Sequence, residues 1–420
     1  MTKLNQVLII GGLIRFLIPT LLPQVVPILS SINEISTPIN SFKSLQEAFY
    51  YFANGIELYD GGINHHPPVL VILLSFVNDL GYPVLSNIIF NLIYTLCDIY
   101  ITYRLIALNQ WYHDQWSSKS GSNKYNDDLI ASFYLFNPLI IVTNLSHSTL
   151  VFSVLFIIET LHQLLVIKNL PRSMIALSIA SYLSYTPVWL VIPLLALMQV
   201  TNPDVPKVEI YGRNFGFFLM GLMLFIIMSF LITASWQFFY QCYGTIFLFN
   251  KIQPNIGLWW YIFTEMFEFF TPFYIGVFNL YSIIFIFPIT LRFTNDGVFA
   301  FILSLIWLSF TKSYPTIGDL GYILSILPIF KSSFLNYCKF SIVYIILLII
   351  CLILSPIFYY CWIVLGNGNS NFFYSINLIW GVIYLFIMMD LIWAKLTLDY
   401  IMDNDIKDKE QIDKLRLTQL

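Results

Sequence analysis

The sequence predicts an all-α membrane protein that crosses the bilayer many times, and two observations carry this prediction. Hydrophobic residues make up 58% of the 420 residues and charged residues 10%, far below the roughly 25% of a soluble domain. Apolar runs such as 215–232 and 342–361 are long enough to cross about 30 Å of hydrocarbon. A transmembrane barrel would instead show short segments of alternating polarity. The composition therefore excludes an ordinary cytosolic enzyme, and we expect no nucleic-acid partner.

The apolar runs predict about twelve transmembrane helices. Two are expected within 173–199, because Pro187 and Pro193 interrupt that run. The first run contains Arg15 and no small-residue cleavage site follows it, which predicts a retained signal-anchor helix. The other spans are expected near residues 7–28, 84–108, 129–146, 149–167, 213–235, 259–289, 297–311, 319–330, 340–361 and 374–394.

Residues 67–80 form an apolar stretch of only 14 residues, a length typical of a re-entrant segment rather than of a span. With this stretch re-entrant and the N-terminus cytosolic, nearly all 20 lysines and arginines fall on the cytosolic side or at helix ends facing it. The exceptions are Lys43, Lys251 and Lys312 on the far side and Arg15 within a helix. Counting 67–80 as a full span would invert every later loop, so the re-entrant interpretation is favoured.

This layout predicts one polytopic membrane domain over residues 1–398, followed by a cytosolic tail over 399–420. The first loop on the far side covers 30–66, and the re-entrant segment 67–80 follows it. Four irregular segments rich in Gly, Pro, Asn and aromatic residues lie on the far side, and we call them the loop segments. Irregular backbone near membrane depth needs protein or water partners, so we expect these segments to form one assembly over a cavity. The loop segments are 30–68, 236–258, 312–318 and 362–373.

The loop segments and the helices beside them carry four long motifs. These are FANGIELYDGG at 52–62 followed by HHPP at 65–68, PNIGLWWYIFTEMFEFF at 254–270, KSYPTIGDLGYILSILPIF at 312–330 and NSNFFYSINL at 369–378. Together they resemble the PIG-U family, over a region from the first helix to about Trp393. That family is the polytopic subunit of the glycosylphosphatidylinositol (GPI) transamidase of the endoplasmic reticulum, also described in fungi as a cell-division-cycle protein.

The resemblance implies a non-catalytic subunit that binds the GPI lipid and positions it for attachment to the C-terminus of precursor proteins. Catalysis is then expected on a separate cysteine protease-like subunit, and no cofactor is expected. The implied partners are the other transamidase subunits, the GPI lipid, precursor proteins with an attachment signal, and membrane phospholipid. The implied location is the endoplasmic reticulum membrane, with both termini cytosolic.

A more distant resemblance is to the GT-C glycosyltransferases, especially the GPI mannosyltransferases, and it implies a GT-C-like scaffold. The shared features include a pattern of Gly55, Tyr59 and Gly61, and FNP at 136–138. Those enzymes carry an acidic pair in the first lumenal loop, but the stretch 29–48 offers only two widely separated glutamates, Glu34 and Glu47.

The alternative function is therefore a dolichyl-phosphate-mannose-dependent GPI mannosyltransferase. Its nearest substitutes for the acidic pair are Glu57 and Asp60. A transporter or flippase would show repeated broken helices in matching halves, and the sequence shows no such repeat.

Two carboxylates are the leading candidates for a contact with the GPI head group. Glu265 and Glu268 are spaced i, i+3, so on a continuous helix they would project from one face. Carboxylates at membrane depth are costly and usually face a cavity or a partner. We expect them to accept hydrogen bonds from head-group amines, or else to bond to neighbouring helices near a helix N-terminus. Trp260 and Phe267 flank them and are expected to line an acyl-chain groove.

Asn369 and Asn371 follow Gly366 and Gly368 in the last loop segment, where amides suit phosphates and sugar hydroxyls. The alternative is a simple turn, because Asn and Gly are turn formers. We expect both asparagines to contact the head group.

A second group of candidates lies in a predicted tight turn. Lys312 could contact a phosphate or merely extend to the interface, and Tyr314 lies beside it. Asp319 could cap the helix that follows, with Thr316 as a competing cap.

The remaining polar residues suggest no metal and no nucleophile. His65 and His66 are adjacent and are expected to point to opposite sides, and no third ligand stands at a zinc spacing. Cys242 has no base nearby in sequence for nucleophilic catalysis. Three single acids lie within predicted spans, and one of them is expected to pair with Arg15. These acids are Asp98, Glu159 and Asp390.

Overall fold

The computed structural model describes residues 2–120 and 126–404, and the part of the predicted tail beyond residue 404 lies outside them. All regular structure in the described residues is helical. The helices are α1 (Lys3–Leu21), α2 (Val25–Ser30), α3 (Phe42–Ala53), α4 (Pro68–Asn78), α5 (Pro83–Ser120), α6 (Asp127–Leu135), α7 (Pro138–Leu145), α8 (Leu150–Leu165), α9 (Leu170–Leu183), α10 (Val191–Thr201), α11 (Asn214–Thr233), α12 (Gln237–Phe239), α13 (Thr245–Leu248), α14 (Trp259–Glu265), α15 (Thr271–Ile284), α16 (Ile286–Arg292), α17 (Gly297–Phe310), α18 (Ile317–Ile326), α19 (Ser341–Tyr359) and α20 (Ser370–Asp403). Short 3-10 or π-helical turns cover Thr186–Leu190, Glu209–Arg213, Tyr240–Gly244, Glu268–Phe270, Thr294–Asp296, Leu327–Ser332, Leu335–Tyr337 and Tyr360–Val364.

The predicted all-α polytopic membrane class is confirmed. Six helical stretches in the described residues are long and apolar enough to cross a membrane, and a bent pair of helices brings the number to seven. The expected total of about twelve spans stays a prediction, because several predicted spans form helices of only 10 to 17 residues or less. The six stretches are Lys3–Leu21, Pro83–Gln115, Glu209–Thr233, Glu268–Arg292, Ser341–Val364 and Ser370–Asp403.

The centre of the bundle is formed by α17 and α18. Twelve of the 14 residues of α17 are buried, and nine of the ten residues of α18. By contrast, α15 has no buried residue and α19 has only two. A helix that is apolar all round is stable only inside a protein or against lipid. α17 and α18 are therefore enclosed by the chain itself, while α15 and α19 present their side chains to the surroundings.

Proline and its neighbours set the main breaks. The FNP motif bends the α6 and α7 pair by 52°. Pro138 begins α7, and the Asn137 side chain caps it by accepting a hydrogen bond from the Leu139 N–H at 3.0 Å. The break predicted at Pro187 is confirmed as a 3-10 turn. The second break predicted at Pro193 is wrong, because this proline lies in the first turn of α10, where its missing N–H breaks no helical bond.

The apolar stretch predicted as re-entrant forms α4, a helix of 11 residues. Its length is about 16 Å, roughly half of the hydrocarbon thickness. A short turn at 79–82 leads directly into α5, and the Ser86 hydroxyl donates to the Asn78 carbonyl across that turn. The placement of α4 relative to the bilayer stays a prediction.

A buried ion pair joins the first helices of the bundle. Arg15 and Asp98 both have no solvent exposure, and the Arg15 Nε lies 2.5 Å from an Asp98 oxygen. Arg15 also donates to the Leu135 carbonyl at 2.8 Å, at the end of α6. Asp98 accepts further hydrogen bonds from the Tyr134 hydroxyl and the Asn144 amide, each at 2.9 Å. One buried cluster therefore connects α1, α5, α6 and α7, and Asp98 is the one of the three candidate acids that pairs with Arg15.

The other two acids within predicted spans have different roles. Glu159 lies 3.0 Å from the Arg104 Nε, which makes a second ion pair. Asp390 accepts hydrogen bonds from the backbone N–H groups of Lys339 and Phe340, at 2.7 and 3.0 Å, immediately before α19 begins. The carboxylate of one helix thus satisfies the free N–H groups at the start of another.

We expect Asp98→Ala to destabilise the protein by about 3–5 kcal/mol, because the substitution leaves the buried Arg15 charge without its carboxylate. Thermal unfolding of the purified chain in detergent measures this. Glu209→Ala is the matched control: Glu209 pairs with Arg213 on the surface, so its loss should cost less than about 1 kcal/mol. Equal unfolding temperatures for the two variants would contradict the role given to the buried pair.

Candidate functional site

The four loop segments meet at one end of the bundle. The Asn33 amide donates to the Pro254 carbonyl at 2.7 Å, which joins the first segment to the second. The Asn255 amide donates to the Ser313 carbonyl at 3.3 Å, which joins the second to the third. The second and third segments are in close contact at Gly257. A side chain there would place its Cβ only 2.7 Å from a Pro315 side-chain atom, so the contact requires glycine. Amide to carbonyl bonds therefore join the first three segments, and Phe373 of the fourth packs in one cluster with Phe249 and Tyr314 of the second and third.

The helix that carries the two candidate carboxylates is broken between them. α14 ends at Glu265, the backbone is extended at Met266 and Phe267, and a 3-10 turn restarts at Glu268. The expectation that Glu265 and Glu268 share one helical face is therefore wrong. The physical reason is Pro272, which has no N–H to bond the Glu268 carbonyl and whose ring would clash with it in a continuous helix. Pro272 instead occupies the first turn of α15.

Both carboxylates lie on an exposed rim beside large aromatic side chains. Glu265 and Glu268 are exposed, and within the described residues neither side-chain carboxylate has a hydrogen bond or an ion pair. Phe267 between them is 80% exposed and Phe269 is 86% exposed. We call residues 265–270 the acidic aromatic rim. It presents negative charge and apolar surface side by side, with no partner from the described chain.

A packed group of aromatic side chains supports this rim from behind, and we call it the aromatic cluster. Trp260 is 1% exposed and stacks on Trp362 of the fourth loop segment, with ring centroids 5.7 Å apart. It therefore joins α14 to that segment instead of lining an open groove. Its indole N–H is buried without a partner among the described residues. The members of the aromatic cluster are Phe249, Trp259, Trp260, Phe263, Tyr314 and Phe373.

The two candidate asparagines have different surroundings. Asn369 is the N-cap of α20, and its side-chain oxygen accepts the Asn371 N–H at 2.9 Å. The turn alternative thus accounts for Asn369, together with Gly366 at a φ of +66°. The Asn371 side chain accepts a hydrogen bond from the Tyr261 hydroxyl of α14. Tyr261 in turn stacks on Tyr374 with centroids 4.2 Å apart, so Asn371 lies next to the helix that ends in Glu265.

Lys312 and Asp319 form a buried ion pair with 2.9 Å between the Lys312 Nζ and an Asp319 oxygen. The other Asp319 oxygen accepts bonds from the Thr316 N–H at 2.8 Å and the Thr316 hydroxyl at 3.1 Å. Both proposed caps of α18 are therefore used together, as a capping box. The cavity beside the pair is only about 40 Å³, which suits a water molecule. Tyr314 is buried nearby, and its hydroxyl donates to the Lys251 carbonyl at 3.0 Å.

The two adjacent histidines are bonded to backbone on opposite sides. A His65 ring nitrogen lies 2.7 Å from the Gln241 carbonyl, and a His66 ring nitrogen lies 2.9 Å from the Ser41 carbonyl. Burial lowers the pKa of His65, and it lowers the pKa of His66 to about 4. Both rings are therefore neutral at physiological pH. The part of the chain that the structure describes contains no group of three His, Cys, Asp or Glu side chains placed to hold a metal.

Cys242 is also buried, with its sulfur 3.5 Å from the Tyr59 hydroxyl. Burial raises the pKa of this thiol to about 12. A reactive cysteine needs a lowered pKa and access, so this thiol lacks both properties of a nucleophile.

Sequence reasoning missed two features of this end of the bundle. Asn377 is buried in α20, and its amide donates to the Asn255 carbonyl at 2.7 Å and to the Gly257 carbonyl at 3.2 Å. Its place in the NSNFFYSINL motif was the available signal. A large apolar cavity of about 780 Å³ also opens between α9, α11 and the segment 236–248, lined by Tyr185, Leu222 and Phe247 among others. The aromatic run at 236–249 was its signal.

Comparisons with known proteins identify relatives over nearly the whole chain. The family model described as GPI transamidase subunit PIG-U matches residues 9–380. The chain is 36% identical over 409 residues to the GPI transamidase component GAB1 of Saccharomyces cerevisiae, covering 97% of this chain and 96% of the relative. It is 26% identical over 393 residues to the GPI-anchor transamidase component PIGU of Homo sapiens, covering 87% and 88%. It is 29% identical over 370 residues to the GAB1 homolog of Schizosaccharomyces pombe, covering 87% of each.

The extent of these matches agrees with the motifs at the loop end of the bundle, since each of the four motifs lies within the matched residues. The resemblance predicted from those motifs is thereby confirmed, and the chain belongs to the PIG-U family of GPI transamidase subunits.

Proposed function

We propose that this chain is a non-catalytic subunit of the GPI transamidase that binds the GPI lipid and positions it for attachment to precursor proteins. The observation that carries the proposal is the acidic aromatic rim. Its two carboxylates are exposed and have no partner in the described chain, and exposed phenyl rings lie beside them. At the same end of the bundle, the buried Lys312 and Asp319 are paired with each other. An unpaired carboxylate near the bilayer is costly and marks a ligand or partner contact.

The chemistry of the rim fits the head group of a GPI lipid. Glucosamine and ethanolamine are cationic at neutral pH and donate hydrogen bonds, which Glu265 and Glu268 would accept. Hydrogen bonds to charged groups are about twice as strong as neutral ones. The exposed Phe267 supplies apolar surface for the lipid's hydrocarbon, and Asn371 supplies an amide next to α14. Lys312, Tyr314, Asp319 and Asn369 would act indirectly, because each is bonded within the chain.

The contribution to the reaction is positioning. Confining two reactants in the correct arrangement can supply a large share of a rate enhancement without any chemical group from the positioning subunit. The buried, protonated Cys242 and the backbone-bonded His65 and His66 support a separate catalytic subunit. We place the chain in the endoplasmic reticulum membrane with both termini cytosolic, about twelve spans and a GT-C-like scaffold. The loop end of the bundle, with the first loop at 30–66, then faces the lumen, and α4 is re-entrant.

We expect the double variant Glu265→Gln and Glu268→Gln to lower GPI attachment roughly tenfold, because each amide keeps its size but loses a charge-assisted hydrogen bond. The measurement is the anchored fraction of a reporter precursor in cells that contain only the variant, together with the amount of assembled complex. Glu209→Gln, at a half-buried glutamate elsewhere on the chain that pairs with Arg213, is the control.

Normal attachment in the double variant would overturn the proposed contact. Loss of the assembled complex would instead assign these glutamates to subunit assembly, since the carboxylates would then be bonding to a neighbouring subunit.

A GPI mannosyltransferase is the second candidate function, and one observation favours it. Glu57 is exposed and lines an open cavity of about 250 Å³ together with Tyr59. Asp60 is exposed as well but does not line this cavity. In the first loop, Glu34 is buried and accepts a hydrogen bond from the Ser355 hydroxyl at 2.6 Å, so it is held by the chain itself.

For the proposed transamidase function, Glu57→Gln with Asp60→Asn should leave the mannose content of GPI lipids unchanged. Mass spectrometry of GPI lipids from cells with only this variant measures the glycan length. A truncated, under-mannosylated glycan would favour the mannosyltransferase, whereas depletion of the whole chain should accumulate complete GPI lipid and uncleaved precursor proteins.

A further inference from the structure

Another cavity lies at the opposite end of the bundle from the loop segments, and it is independent of the proposed function. It has a volume of about 530 Å³ and is open to the outside. The ends of α5, α8, α10 and the start of α17 surround it. Its lining combines apolar walls with a polar rim, which is the combination that an amphiphile needs. The polar rim includes Gln115, Lys168, Asn202, Asn295 and Asp296, with Trp111 beside them.

Lys168 supplies the positive charge of this rim in an unusual backbone conformation. Its φ is +59°, in the left-handed region that glycine normally occupies after a helix. The turn closes the end of α8, because the Asn169 N–H donates back to the Gln163 carbonyl at 2.8 Å. A lysine in this position costs stability relative to glycine, and such strain is found where a side chain has a function. Lys168 is exposed and has no ion pair with a described residue.

The negative charge of the lining is compensated. Asp296 is the one carboxylate among the described lining residues, and it lies 3.5 Å from the Lys395 Nζ. Its other oxygen caps α17 by accepting the Phe299 N–H at 3.1 Å. Lys395 also bonds Asp399, at 2.7 Å, outside the lining. Lys168 is therefore the charged group of the lining that is left available to a ligand.

The neutral polar groups of the rim are available as well. The side chains of Gln115 and Asn295 are exposed and have no hydrogen bond with a described residue. The Asn202 amide donates to the Met198 carbonyl at 3.1 Å, which leaves its own oxygen as an acceptor. Amides of this kind can bond both phosphate oxygens and head-group hydroxyls or amines.

We propose that this cavity binds the phosphate-bearing head group of a membrane phospholipid, with Lys168 on the phosphate. The position supports a lipid, because helix ends of a membrane bundle lie at the level where phosphate head groups are found. Trp111 at the rim is typical of that interface. The apolar side of the cavity, which includes Leu164 and Val200, would contact the hydrocarbon chains of the same lipid.

The test uses the full chain, purified in its complex and reconstituted in nanodiscs of phosphatidylcholine, alone or with phosphatidylinositol or phosphatidylethanolamine. Lipid retained after transfer to detergent is measured by native mass spectrometry. Lys168→Gly should weaken retention of the preferred lipid roughly tenfold, because it removes a charge-assisted hydrogen bond. The same variant should melt at an equal or higher temperature, since glycine relieves the left-handed strain.

Two further variants separate charge from structure. Lys168→Arg should keep the lipid, and Lys207→Gln, at an exposed lysine outside the cavity, should leave retention unchanged. Unchanged retention in Lys168→Gly would overturn the proposal. Binding of soluble glycerol phosphate as tightly as the nanodisc lipid would also overturn it, because the site would then belong to a soluble phosphate compound.

Discussion

The buried ion pair between Arg15 and Asp98 is the contact on which the rest of the bundle depends. Charged groups without solvent exposure are tolerated only where carboxylate, carbonyl and amide partners replace water, and these two groups find them on four different helices. Asn144, bonded to Asp98, lies in the last turn of α7, and Thr149 a few residues later donates its N–H to the Asn40 carbonyl at 3.2 Å. The first loop segment is thus connected along the chain to this buried cluster.

Partner groups are distributed unevenly at the loop end, and this contrast defines the candidate site. Lys312 has Asp319, Glu34 has Ser355, and both histidines have backbone carbonyls. These residues stabilise the assembly of loop segments, and few of their polar atoms remain free to bond a ligand. The acidic aromatic rim is the opposite case, since its carboxylates and phenyl rings contact little of the described chain. A surface that is both acidic and apolar next to a bilayer suits a cationic lipid head group or another subunit. Exposure of its phenyl rings to water alone would be unfavourable.

Much of the helical layout follows from local sequence, and the errors have identifiable causes. Hydropathy predicted the outer helices well, because each is apolar along its whole length. Pro187 breaks the helix as its position predicts, whereas the break predicted at Pro193 does not occur, because a proline in the first turn of a helix removes no helical hydrogen bond. The break after Glu265 was missed although Pro272 lies close by. The apolar run continues through this break. Hydropathy reports the polarity of side chains and carries no information about the backbone conformation.

The class of protein, the order of its apolar helices and, through four long motifs, its family can all be predicted from the amino-acid sequence. These properties depend on the transfer free energy of consecutive side chains and on residue patterns, which are both local. Which charges are paired and which remain free depends on the folded arrangement of the helices. Arg15 and Asp98 are 83 residues apart, and their pairing depends on which helices become neighbours. Glu265 and Glu268 stay unpaired because no other part of the described chain reaches the rim, and that depends on the packing of the whole bundle.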